Sequence, residues 1–221
     1  MAAVAVLLSY LAGSVSFPYW VARARDVDLR AVGSRKLGGS NLWKSVGPGE
    51  AIAGGLLDAA KGFVAVIVAR AVGLPLEVQL ACGVAAIVGQ MWPVFHGFDG
   101  GRANSAGWGF ALAVDPVAFL IMMLPVLAAI AMRLAVRPRP SRVLPLASLL
   151  SFAVFPAVIW EQDGTTPAVQ AALVVLALIL ARRITAGLGQ DLATGAPPAR
   201  VLANRALFDR TELQQRGVVG I

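Results

Sequence analysis

Two stretches of this chain carry residue types and spacings suited to holding phosphate. The first runs from Gly33 to Gly62 and reads GSRKLGGSNLWKSVGPGEAIAGGLLDAAKG. It opens with glycines, the hydroxyls of Ser34 and Ser40, the amide of Asn41 and the cations Arg35, Lys36 and Lys44. Backbone N–H groups, hydroxyls and cations in one loop are the ordinary means of binding phosphate. The loop is then expected to pass without a break into an apolar helix bearing Asp58 and Lys61. Ionisable groups within a membrane span are costly and are functional candidates by default. Spaced i, i+3, these two can pair on one helix face. The plainer readings are a connecting loop whose cations obey topology, and a buried pair that is purely structural.

The second stretch, Gly89 to Gly109, reads GQMWPVFHGFDGGRANSAGWG. A span is expected to end at Pro93, a Gly-rich loop to present Asp99 and Arg102, and a short helix to begin near Asn104 or Ser105. An arginine beside a helix N-terminus suits an anion; a tight re-entry turn with an interfacial arginine is the alternative. His96 is the only histidine, read as an interfacial polar residue. With no second His or Cys partner, a histidine-based metal site is implausible. A third basic run, ARRITAGLGQD with Arg182 and Arg183, reads fully as an inside-facing stop signal.

The elements that position these residues are membrane helices. Of 221 residues 58% are hydrophobic and 14% charged, more apolar surface than a soluble domain of this size could hide. Apolar segments fall at roughly 2–22, 51–72, 78–96, 104–114, 117–132, 144–160 and 167–181. The fourth is short, reaching only part of the way across at about 1.5 Å per residue, and Asp115-Pro116 ends it. Charge decides whether it crosses. With seven crossings, all the basic residues except Lys61 and Arg70 lie on one face, as the positive-inside rule requires. The expected fold is therefore all-α and polytopic, with about seven transmembrane helices, the N-terminus outside and the C-terminus cytoplasmic.

No cleavable signal is expected at the N-terminus. Trp20, Trp43 and Trp160 suit an aromatic belt. Cys82, the single cysteine, forms no internal disulfide and reads as packing. The net charge of +7 fits cytoplasmic loops facing anionic lipid better than nucleic acid. A membrane domain at 1–186 is expected to precede a basic cytoplasmic tail at 187–221, whose RVLANRALFDRTELQQR is an amphipathic surface helix or a disordered segment.

The two stretches resemble motifs of the bacterial membrane acyl-phosphate:glycerol-3-phosphate acyltransferases, the PlsY type. The family pattern YLxGSxPFGY, DIR, GSGNxGATN and DxxKG finds Tyr10-Leu11-Ala12-Gly13-Ser14, Asp28-Leu29-Arg30, Gly33-Ser34, Gly38-Gly39-Ser40-Asn41 and Asp58-Ala59-Ala60-Lys61-Gly62 in register without a gap. The pattern GHxFPVFLxFKGGKG lies over Gly89 to Ala103, and Leu146-Ala147-Ser148 is a weaker match before the sixth span. The resemblance covers roughly residues 7 to 191. It implies a seven-helix fold in the cell inner (plasma) membrane with the active site on its cytoplasmic face. It also implies acyl transfer from acyl phosphate to the 1-hydroxyl of glycerol 3-phosphate, giving lysophosphatidic acid without acyl-CoA, cofactor or metal. Membrane lipids and an upstream enzyme making acyl phosphate are the implied partners.

Carried over by position, Ser34, Asn41 and Arg102 are catalytic. Ser34, Ser40, Asn41, Lys44, Arg102 and Ser148 bind substrate phosphate, and Asp28, Arg30, Asp58, Lys61 and Gln90 support the site. Lys44 stands for a family arginine and Arg102 for a lysine, keeping charge but changing donor geometry. Gln90 stands where the family has histidine. The third motif, RHRENIxRLxxGxE, is reduced to Ala181-Arg182-Arg183-Ile184 and Gly189-Gln190-Asp191, and a family serine is matched by Pro145. Two readings follow: a divergent acyltransferase, because placement and phosphate neutralisation survive, or a homologue that binds acyl phosphate or lipid phosphate without turnover. A transporter would leave the motifs unexplained.

Overall fold

The computed structural model describes residues 1–33, 35–136 and 142–209. Among the described residues, eleven α-helices follow one another: α1 (Ala2–Gly13), α2 (Phe17–Arg23), α3 (Gly39–Ser45), α4 (Pro48–Ala71), α5 (Leu76–Met91), α6 (Asn104–Val114), α7 (Pro116–Ala135), α8 (Val143–Asp163), α9 (Pro167–Thr185), α10 (Leu188–Leu192) and α11 (Pro198–Phe208). A 3₁₀ turn, Val94–His96, follows α5. No strand occurs among the described residues. The chain forms two compact units, Met1–Pro116 and Val117–Ile221.

Among the described residues, six segments are long and apolar enough to cross a membrane: Ala2–Arg23, Pro48–Ala71, Leu76–His96, Pro116–Ala135, Val143–Asp163 and Pro167–Thr185. Their surfaces are inverted relative to a soluble protein. On α4, Leu56, Val64 and Val68 are exposed while Asp58 and Lys61 are buried. Apolar side chains meet lipid and the costly polar ones face protein.

The short segment expected at 104–114 is α6, 11 residues long. Its packing shows how so short a helix serves. Its start lies beside α4 at Gly55, where a Cβ would sit 3.9 Å from Ser105 Oγ. Its end is capped by Arg70 in the last turn of α4, whose Nη2 donates to the Ala113 carbonyl at 2.9 Å. So α6 runs the same way as α4. It begins seven residues inside α4, about 10 Å below that helix's start. The Gly-rich loop before α6 is therefore sunk relative to the start of α4.

Two further expectations are corrected. The first apolar segment is not one helix. α1 stops at Gly13, and α2 restarts after Ser16, whose Oγ accepts the Tyr19 N–H at 3.4 Å, with Pro18 in the first turn. Nor does the 33–44 loop run unbroken into α4. It contains α3, and Gly47 then separates α3 from Pro48, which starts α4.

Glycines let the first unit's helices cross at backbone contact. A Cβ on Gly109 would lie 1.8 Å from Ala59 O, and one on Gly62 would lie 2.0 Å from Ala106 O, at the α4–α6 crossing. At the α1–α5 crossing, Gly13 and Gly89 would meet Ala86 O and Tyr10 O at 2.2 Å each. Such small-residue seams replace the missing hydrophobic drive between helices in lipid.

In the second unit, α8 and α9 pack together and α11 rests on both. The segment after α9 is partly helical and anchored inward. Val201 and Arg205 are buried, Arg205 Nε pairs with Asp191 at 3.2 Å, and its Nη2 donates to Ala186 O at 2.6 Å. Residues 210–221 lie outside the described residues.

Gly109→Ala should lower the unfolding midpoint in detergent micelles, because overpacking a tight seam typically costs about 1–3 kcal/mol. Gly49→Ala, where a Cβ meets nothing within 4 Å, should leave the midpoint unchanged or slightly raised.

Candidate active site

The site is built upward from the break between α1 and α2. A helix that stops inside the hydrocarbon leaves carbonyls without partners, and one that restarts there leaves N–H groups without partners. Lys61 and Asp58 fill both needs. Lys61 Nζ donates to the carbonyls of Gly13 at 3.1 Å and Val15 at 2.7 Å, at the negative end of α1. The Phe17 backbone N–H, at the start of α2, faces the Asp58 carboxylate. The two charges pair at 2.9 Å with side chains 5% exposed.

Gln90, one residue before the end of α5, joins this pair. Its Nε2 donates to Asp58 Oδ2 at 2.7 Å, and its Oε1 accepts from Lys61 Nζ. Its backbone carbonyl accepts the Gly101 N–H at 3.1 Å, and the Met91 carbonyl accepts the Gly100 N–H at 3.3 Å. The Gly-rich loop thus folds back to cap α5, and Arg102 follows directly. Gly100 has no room for a side chain: a Cβ would lie 2.3 Å from Gln90 O. Gly97, Phe98 and Ala103 all have left-handed backbone angles, at φ 62°, 62° and 55°. Two of these are non-glycine residues, an uncommon and costly arrangement held by the surrounding contacts.

The first loop meets the second here. A Cβ on Gly101 would lie 3.4 Å from Leu37 O, so the chain at Lys36-Leu37 and the chain at Gly101-Arg102 lie against each other. A second link runs through Tyr19 of α2. Its ring meets His96 edge to face at 5.0 Å between centroids, and the Arg30 guanidinium lies 5.0 Å from its centroid. Arg30 is held by Asp28, through Nη2 to Oδ2 at 2.7 Å and Nε to Oδ1 at 3.0 Å. The Arg30 side chain and backbone hydrogen bonds lower the Asp28 carboxyl to about 2.

Asn41 is the organiser of the first loop. It is buried at 2% exposure, and its Nδ2 donates to the carbonyls of Leu29 at 3.1 Å, Val32 at 3.2 Å and Lys36 at 3.1 Å. Its Oδ1 accepts from Ser45 Oγ at 3.4 Å, and it packs so closely on Gly33 that a Cβ there would be 2.3 Å away. Ser40 and Lys44 lie exposed on α3, and Arg102 is half-buried. Ser34 lies outside the described residues.

Ser148 belongs to the second unit. It is buried, and its Oγ accepts from Arg183 Nη2 at 3.3 Å. Arg183 Nη1 donates to Pro145 O at 3.0 Å and Ala206 O at 3.4 Å. Arg182 and Arg183, in the last turn of α9, are buried within the second unit, which an inside-facing stop signal does not by itself require. Residue types alone carried no sign of that burial. Tyr19 and the Gly13 and Val15 carbonyls also escaped notice, because ring stacking and main-chain acceptors leave no pattern in a sequence. Among the described residues, no group of three or more His, Cys, Asp or Glu side chains could hold a metal ion.

A helical, multi-pass membrane protein with a buried ion pair beneath two touching cation-bearing loops is the class these features define. The family model for glycerol-3-phosphate acyltransferase matches residues 3–187, and the chain belongs to that family. Glycerol-3-phosphate acyltransferase of Synechococcus sp. (strain CC9902) is 34% identical over 177 residues, which cover 79% of this chain and 84% of the relative. Glycerol-3-phosphate acyltransferase 1 of Deinococcus radiodurans is 42% identical over 116 residues, covering 52% of this chain. The chain spans 59% of the length of that relative and 62% of the length of one from Desulforudis audaxviator. A crystal structure of PlsY, an integral membrane glycerol 3-phosphate acyltransferase, in its glycerol 3-phosphate form superimposes with a TM-score of 0.74 at 29% identity. That match covers 88% of this chain and 92% of the other.

Asn41→Ala should open the first loop, since removing a buried donor shared among carbonyls costs about 1–3 kcal/mol. Limited proteolysis should then cut between residues 29 and 37 while α4 stays protected. For Asp28, whose folded value of about 2 lies below the ordinary 3.8, stabilisation is complete above 3.8 and is lost as pH falls through about 2. A carboxyl-carbon NMR titration should place its midpoint near 2.

Proposed function

We propose that this protein transfers a fatty acyl group from acyl phosphate to the 1-hydroxyl of glycerol 3-phosphate, giving lysophosphatidic acid and inorganic phosphate. The observation that carries this reading is the contact of the Leu37 and Gly101 loops over the Asp58–Lys61–Gln90 cluster, all within the family-matched residues. The substrate class is supported by the relatives' names and by PlsY structures in glycerol 3-phosphate and lysophosphatidic acid forms.

The 1-hydroxyl oxygen attacks the acyl carbonyl carbon, and the bond from that carbon to the phosphate oxygen breaks. The hydroxyl proton passes to a phosphate oxygen, so the departing group leaves as hydrogen phosphate and no protein base is consumed. What the chain must supply is placement and charge neutralisation. Arg102 and Lys44 are assigned to the substrate phosphates, with Ser34 and Ser40 as hydroxyl donors. Asn41, engaged with three loop carbonyls, shapes the pocket. The active face is cytoplasmic and the membrane is the plasma (inner) membrane, in keeping with the segregation of basic loops. The donor then comes from a reaction that places phosphate on a fatty acyl group.

Purified protein in micelles, given acyl phosphate and glycerol 3-phosphate, should release phosphate together with a lysophospholipid. Arg102→Ala should lower kcat/KM by about 10²–10³-fold, as loss of one transition-state donor does. Saturable binding of acyl phosphate without product would instead identify a binding homologue.

A further inference from the structure

We infer that Gln90 is a positioning residue whose uncharged amide locks the Asp58–Lys61 floor to the Arg102-bearing loop, and that it does so without titrating. The inference rests on the acyltransferase reading above for its kinetic readout.

The geometry assigns each atom of the side chain a task. Nε2 donates to Asp58 Oδ2 at 2.7 Å, and Oε1 accepts from Lys61. The same residue's carbonyl receives the Gly101 N–H at 3.1 Å. One residue therefore reads both charges of the pair and anchors the loop that carries Arg102. A carboxylate at this position could accept from Lys61 but would repel Asp58. An ammonium could donate to Asp58 but would repel Lys61. An amide does both, with no net charge and no proton to lose or gain.

A neutral imidazole offers the same combination, one N–H donor and one bare nitrogen acceptor. Once protonated it offers two donors and no acceptor, and it carries a positive charge toward Lys61. A Gln90→His substitution thus keeps the bridge while the imidazole is neutral and breaks it once the ring is protonated. The side chain at position 90 faces Asp58 and Lys61 of α4; Tyr10 of α1 bonds the Trp92 carbonyl two residues on, Arg102 follows the Gly101 that bonds the Gln90 carbonyl, and His96 on the next turn feels Arg30 and Lys61. All of these remain in a Gln90→His variant, so the ratio of variant to wild type isolates the substituted group. The ratio also cancels titration of the substrates' own phosphates.

The test measures kcat and KM for wild type, Gln90→His and Gln90→Leu in micelles from pH 5.5 to 8.5, well below the unfolding temperature. The Gln90→His to wild-type ratio of kcat should be near one at the alkaline end of that range and fall as pH drops through the imidazole's titration, by up to about tenfold per pH unit. KM for glycerol 3-phosphate should change much less. Gln90→Leu should be slow at every pH, with a flat ratio. A flat ratio for Gln90→His, or wild-type kcat in Gln90→Leu, overturns the proposal. If wild type shows no turnover, the acyltransferase reading fails by itself. The same ratios are then read as affinity for inorganic phosphate by calorimetry: loss in Gln90→His confined to acid supports the bridge, and pH-independent affinity in all three proteins refutes it.

Discussion

The buried pair between Asp58 and Lys61 is the interaction on which the first unit depends, because it makes a broken membrane helix tolerable. A lone charge in the hydrocarbon would cost several kcal/mol, and removing one partner of a buried pair typically costs about 3–5 kcal/mol. Neither charge stands alone here. Lys61 meets the final carbonyls of the α1 turn, and Asp58 faces the first N–H of α2. The break supplies the dipoles that the charges need, and the charges supply partners for backbone groups that have no water available. Straightening α1 and α2 into one helix would strand the pair, and neutralising the pair would strand the break.

This mutual requirement sets how close the helices must come. Lys61 can reach Gly13 O only if α1 and α4 approach, and Gln90 can reach Asp58 only if α5 lies in the same layer. The glycine seams at Gly13–Ala86 and Gly89–Tyr10 bring α1 against α5, and those at Gly62 and Gly109 bring α6 against α4. One consequence is depth. With α5 ending at Met91 and α6 beginning beside Gly55, the connecting loop lies below the start of α4. Irregular backbone at such depth must cap something, and Gly100 and Gly101 do so on the last carbonyls of α5.

Much of this was legible in the sequence, and the boundary of legibility is physical. The long apolar runs are set by the solvent, so α4, α5, α7, α8 and α9 fall close to where hydropathy puts them, and Asp115-Pro116 ends α6 as expected. The i, i+3 spacing foretold the Asp58–Lys61 pair. What escaped depends on partners remote in sequence. The break at Ser14–Ser16 sits in a run whose hydropathy continues across it. α3 begins at the second residue of a Gly-Gly pair that reads as loop. The duty of Asn41 is to three carbonyls, which carry no residue identity. The burial of Arg183 rests on Pro145 and Ala206 main-chain groups, and cationic residues at a span's end read equally as topology.

The same partner geometry limits what residue 90 can do. A side chain whose two ends are already committed, one to a carboxylate and one to an ammonium, is poorly placed to remove a proton from a third molecule. Gln90 is in that position. Both ends of the Gln90 amide are taken up by the pair, which fits residue 90 to bridging rather than to proton abstraction. In the proposed reaction the leaving phosphate carries away the proton, so the demand on the protein is for fixed positive charge, which Lys44 would supply as a point charge and Arg102 as a planar fork.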